Sequence, residues 1–224
     1  MIDERLKLEL IKKYPYEKVY VIPFEQTKSI KDRFNPFTAK YTYDNFNRMF
    51  SNGLFVPRYD AEYNDTMSQL IPYVVVFNKN KNKVYISYRI AGDSRLRFSY
   101  SLGYGGHINP IDIKTGLSLC ESSANRELNE ELILKNSFQK YPIGTVRDLS
   151  SDTREHVGIV YCIIVEDIQV REKDTLEGQW FSLNQLVEHY YDFESWGRYI
   201  IDYLFVTYKK YNSLNTLFNG KGCK

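Results

Sequence analysis

The chain predicts an α/β fold, a mixed sheet covered by helices on both faces, and three observations carry that expectation. Runs rich in β-branched and aromatic residues, such as IPYVVVF, KVYISYRI, PIGTVRDL and HVGIVYCIIVE, have strand length. One long helical segment, LSLCESSANRELNEELIL, stands between the middle strands, and two further helical stretches close the chain. Strands, a central helix, more strands and terminal helices make layers, with the sheet in the middle.

Taken in order, IDERLKLELIKKY sets Leu6, Leu8, Leu10 and Ile11 among charges and predicts a short helix. KVYVIPF predicts a strand. From about Glu25 to Asn64 the periodicity is weak, which predicts short helices and loops. IPYVVVF and KVYISYRI, separated by the polar NKNKNK, predict a hairpin. SYSLGYGGHI alternates as a strand and ends near a glycine pair, and NPIDIKTG is a loop. After the central helix come strands at PIGTVRDL, HVGIVYCIIVE and LEGQWFSL, then helices at SLNQLVEHYY and WGRYIIDYLFVTYKKY.

The 224 residues contain no repeat, low-complexity tract or Pro/Gly-rich linker. The expectation is one domain over 55–224, with residues 1–54 as an N-terminal extension packed on it. Thirty basic and 28 acidic residues leave a net charge of +2, which argues against a nucleic-acid partner or an anionic membrane surface. The apolar runs are too short to span a bilayer. MIDERLKLEL has charges where a secretory signal would have its apolar core. Cys120, Cys162 and Cys223 show neither CxxC pairing nor zinc-like spacing, so reduced thiols in the cytoplasm are expected.

The chemistry concentrates in RELNEELIL, Arg126 to Leu134, which holds three glutamates. At 100° per residue, Glu130 lies about 60° to one side of Glu127 and Glu131 about 40° to the other, so the carboxylates share one helix face. Such spacing also occurs on solvated helix edges. Three carboxylates this close repel unless a cation screens them, and an all-oxygen set suits Mg²⁺ or Mn²⁺.

RELNEEL, preceded by Gly105 and Gly106, resembles the signature of the Nudix (MutT-like) hydrolases: Gly, five residues, Glu, seven residues, then Arg-Glu-apolar-x-Glu-Glu-x-Gly-apolar. Arg126, Glu127, Leu128, Glu130, Glu131 and Leu134 match its second half. The loop between Gly106 and Arg126 is six residues longer than the pattern. Counting forward from Gly106 puts Asp112 in place of the first Glu, counting back from Arg126 puts Ser118 there, and Ile133 replaces the last glycine. The flanks FVPRYDAEYNDTMSQLIPYVVVF, SYSLGYGGHINPID and HVGIVY are similar to a branch of predicted MutT-type phosphoesterases with a GGHINP-like segment.

The resemblance implies a Nudix-type α/β/α sandwich and metal-dependent hydrolysis of a pyrophosphate linkage in a nucleoside diphosphate derivative. The other reading is a catalytically silent Nudix-like domain that binds a nucleotide or a partner protein as a sensor. Glu127, Glu130 and Glu131 are the expected metal ligands, with Arg126 fixing them by ion pairs. Glu177 in LEGQWFSL is the candidate additional acid. Gly105 and Gly106 let the backbone approach the site, His107 is a candidate phosphate contact, and Arg95 and Arg97 are candidates to hold the phosphates. His156 is a candidate for proton transfer. The expected partner is a small nucleotide, and the aromatic-rich terminal helices suit a homodimer interface.

Overall fold

The computed structural model describes residues 4–38, 42–78, 80–90, 99–114, 116–135, 138–171 and 174–218. The chain opens with α1 (Glu4–Lys13), β1 (Lys18–Pro23), the single-turn α2 (Phe24–Thr27) and β2 (Arg33–Pro36). Next come α3 (Tyr43–Met49), β3 (Leu54–Pro57), α4 (Arg58–Ala61), β4 (Met67–Asn78) and β5 (Lys83–Arg89). Short strands β6 (Tyr100–Ser101) and β7 (Gly103–Gly105) lead through a 3-10 turn at Pro110–Asp112 to α5 (Leu119–Glu131). The remainder is β8 (Leu132–Leu134), β9 (Tyr141–Arg147), β10 (His156–Val165), β11 (Ile168–Val170), β12 (Leu176–Ser182), α6 (Leu183–Glu188) and α7 (Ser195–Tyr211), with 3-10 turns at Tyr190–Asp192 and Asn215–Leu217.

The main sheet runs β12-β5-β4-β10-β9-β2, with β1 and β7 also paired to β4, β3 to β1 and β6 to β5. The β4–β10 ladder is parallel and the other named pairs are antiparallel, so the sheet is mixed. Every interior residue of β4 is buried, which explains its unbroken apolar run: both faces of this strand are covered. Val74, Val76, Tyr161 and Ile163 share one core with Ala124 and Leu128 of α5. Val75, Phe77, Val160 and Cys162 share the other with Ile200, Ile201 and Leu204 of α7. The result is the expected α/β/α sandwich, and none of the described helices is long and apolar enough to cross a membrane.

Four elements differ from the sequence expectation. The weakly patterned stretch before Asn64 contains two strands, β2 and β3, besides helices. Each has four residues and gains its shape by pairing, β2 with β9 and β3 with β1, so neither shows a period of its own. The strand expected at SYSLGYGGHI is two pieces, β6 on β5 and β7 on β4. The central helix stops at Glu131, because Leu132 is already extended (φ −127°) and Leu132–Leu134 pairs as β8 with β11.

Along β4 the antiparallel neighbour changes. Gln69 pairs with β1, whereas Tyr73 pairs with Gly105 of β7, and Pro72 lies between them. Proline has no N–H to give a ladder and is tolerated where pairing changes over. Ile71 and Tyr73 on either side of it line a cavity of about 350 Å³.

Candidate functional site

The α5 segment is helical for local reasons. Ser118 caps it by accepting from Glu121 N–H (3.2 Å), while the Glu121 carboxylate accepts from Ser118 N–H (3.2 Å) and from its hydroxyl (2.9 Å). Ser118, one of the two positions counted for the missing signature acid, is therefore a helix cap. At the other end Arg171 donates from its backbone N–H to Glu131 O (2.7 Å) and from Nε to Asn129 O (2.8 Å). Those bonds satisfy carbonyls that helix ends leave over, and the chain passes straight into β8 at Ile133, where the family pattern has glycine.

Asp112 supplies an acid at the other counted position. It is fully buried and forms a two-point ion pair with Arg126, Nε to Oδ1 at 2.9 Å and a terminal nitrogen to Oδ2 at 3.1 Å. Asn109 N–H donates to the same carboxylate (2.9 Å), and Arg126 also donates to His107 O (2.8 Å). Arg126 thereby ties the 3-10 turn and the glycine segment to α5. Its remaining nitrogen donates to Glu127 (2.7 Å) and Glu130 (3.0 Å). Burial alone would lower the Arg126 guanidinium, but the Asp112 hydrogen bond and the charges of Glu127 and Asp112 outweigh it and hold the group above its ordinary value.

The three glutamates occupy different surroundings. Burial pushes the Glu127 carboxyl up from 4.5 to about 6 against the pull of Arg126, with Glu130 and Asp112 adding to the rise. Glu130 is half exposed, and Glu131 is mostly buried in the cavity wall, with Arg89 3.8 Å away. The ligand atoms of these three do not fall within 4.8 Å of one another; among the described residues the set that does is Glu62, His107 and His156. An oxygen-only set of this kind suits a hard divalent cation that keeps several waters, which relaxes the need for the carboxylates to meet at a point.

Both glycines are dictated by closeness. A Cβ on Gly106 would stand 2.5 Å from the Glu127 carboxylate, and one on Gly105 would stand 1.9 Å from Pro72 O. Gly105, Gly106, His107 and Glu131 line the cavity together with Arg89 and His156. Tyr73 and Trp196, whose rings meet edge to face at 5.8 Å, line it as well.

Not every expected residue is here. Glu177 is exposed and pairs across β12–β5 with Tyr88, on the sheet face that packs against α7, whereas Arg89 and Glu131 lie on the α5 side. The structure does not bring it to the cavity. Arg95 and Arg97 lie outside the described residues. Among the described residues, the arginines that line the cavity are Arg58 and Arg89, and Glu194 lines it as well; no sequence motif marks any of the three. Glu194 caps α7 through Gly197 N–H (2.6 Å) and accepts from the Tyr73 hydroxyl. Cys120 and Cys162 are free and buried, and burial pushes the Cys120 thiol up to about 12, so it is a core residue.

A glutamate helix beneath a glycine pair, inside an α/β/α sandwich with a cavity above it, defines a class. The structure of Tm1382, a proposed Nudix hydrolase, superposes with a TM-score of 0.72 at 25% identity, over 85% of this chain and all of that one. The chain has the Nudix (MutT-like) hydrolase fold. In sequence it is 32% identical over 159 residues to protein YmaB of Bacillus subtilis (strain 168), spanning 66% of this chain and 76% of YmaB. No family model matches the chain.

Proposed function

We propose that the chain hydrolyses the pyrophosphate linkage of a nucleoside diphosphate derivative, with Mg²⁺ or Mn²⁺ held by Glu127, Glu130 and Glu131. The observation that carries this reading is the placement of Glu131: a mostly buried carboxylate in the wall of a cavity, one helical turn from Glu127, with Gly105 and Gly106 beside it. When bound, the cation would neutralise phosphate charge and lower the pKa of a coordinated water.

The chain's own residues do the rest. Arg126 fixes the Glu127 and Glu130 carboxylates and is itself anchored by Asp112, so the acidic face is held before substrate arrives. Arg89, 20% exposed beside Glu131, is placed to take a phosphate oxygen. Tyr73 and Trp196 offer an aromatic wall against which a base can lie. With Glu177 away from the cavity and Glu194 engaged in capping α7, Glu131 is the carboxylate placed to take a proton from an attacking water or to hold the cation that activates it.

The silent-domain reading draws on the ion pairs between Arg126 and two of the glutamates. One panel of nucleoside diphosphate derivatives, assayed with Mg²⁺ or Mn²⁺ and with chelator, separates the two. Binding without release of phosphate or nucleotide would select the silent domain.

A further inference from the structure

Beside the glutamate helix lies a second set of ligand-type side chains. Glu62, His107 and His156 come from the end of α4, the loop after β7 and the first residue of β10. Their ligand atoms lie within 4.8 Å of one another, and the imidazole rings meet edge to face at 5.2 Å. Glu62 is 3% exposed and His156 7%, so this is a buried cluster and not a solvated surface. His107 and His156 both line the cavity, as does Arg58, whose Nε donates to Glu62 Oε1 at 2.9 Å.

We propose that Glu62, His107 and His156 bind one divalent transition-metal ion of the Zn²⁺ type, with its remaining coordination positions facing the cavity. Two imidazoles and a carboxylate are a borderline donor set that favours Zn²⁺ or its first-row neighbours over Mg²⁺. Three protein ligands leave at least one position for water or an anionic oxygen. Donors about 2.1 Å from a tetrahedral ion stand about 3.4 Å apart, so side-chain adjustments of about 1 Å close the set. Surrounding groups already hold the ligands: Arg58 fixes one Glu62 oxygen and is itself held by Glu17 at 3.1 Å. Glu155, anchored by Tyr63 N–H, stands 3.9 Å from His156 Nε2. A divalent cation would also offset the cost of burying the Glu62 and Glu155 carboxylates. None of these residues belongs to the glutamate helix, so the site can fail while the hydrolase reading stands, and the reverse.

The test measures metal without any turnover. Full-length protein is equilibrated with Zn²⁺ in excess Mg²⁺, desalted and assayed for bound zinc. The proposal predicts about one Zn²⁺ per chain, and affinity falling at least about tenfold in His107→Gln and in His156→Gln but not in Glu131→Gln. On the wild-type protein, Co²⁺ should give the intense visible bands of a four- or five-coordinate ion with nitrogen donors, and inorganic phosphate should change them. No retained zinc, a weak octahedral cobalt spectrum, or retention lost in Glu131→Gln and kept in the histidine variants would each overturn the site. A nitrogen-ligated cobalt spectrum that ignores phosphate would overturn the open coordination positions.

Discussion

At Glu127 burial and charge oppose one another, and the balance can be read by titration. Its carboxyl rises from 4.5 to about 6, so the folded chain holds this proton more tightly than the unfolded chain does. The associated cost is absent below pH 4.5 and fully present above about pH 6. In chelator, the wild type should therefore lose about 2 kcal/mol relative to Glu127→Gln as the pH rises through that window. Denaturant unfolding of both proteins at several pH values measures this, and a difference that does not change with pH contradicts it. Asp112 sits at the opposite extreme, buried but paired. Asp112→Ala leaves the Arg126 guanidinium without its two-point partner and should cost about 3–5 kcal/mol in the same unfolding experiment. At this scale the sequence showed Glu127, Glu130, Glu131 and Arg126 through their spacing on one helix. It left Asp112 and Ser118 as alternatives, because counting along a lengthened loop cannot show which side chain folds back to the arginine.

Between elements, the lengthened loop and the early end of α5 have one physical explanation each. The loop carries Asp112 inward and then delivers Ser118 as a cap, so its extra residues change neither end of the site. Ser118→Ala should lower stability by about 1 kcal/mol, measured by thermal or denaturant unfolding, while the Asp112–Arg126 pair persists. The helix ends without glycine because Arg171 takes its last carbonyls and β11 pairs with β8. Neither partner is near Ile133 in sequence, which is why the apolar tail LIL reads as a continuation of the helix. Gly106 couples two elements directly, since its missing side chain makes room for the Glu127 carboxylate. Gly106→Ala should cut turnover at least about tenfold by displacing that carboxylate, with little change in the fold, as steady-state kinetics and circular dichroism would show.

Across the whole molecule, the layers were legible because β4, β10 and α7 have long, strongly patterned segments. The cavity was not. It arises where β4 changes partner around Pro72, and it gathers Arg58, Arg89, Glu131, His107 and His156 from five separate stretches of chain. Only the sheet topology brings these together, and Glu177 on β12 is not among the residues that line the cavity. Arg89 and Glu62 carry no local signal: one ends an ordinary strand, and the other follows a four-residue helix in a stretch of weak periodicity. The central claim is that this cavity, with Glu131 of α5 in its wall, hydrolyses a pyrophosphate linkage. It is tested most directly by product release from a panel of nucleoside diphosphate derivatives, comparing wild type with Glu131→Gln in Mg²⁺ and in chelator. The expected result is metal-dependent hydrolysis of at least one substrate, falling at least about 100-fold in Glu131→Gln. Equal turnover by wild type and Glu131→Gln, or undiminished turnover in chelator, would contradict it.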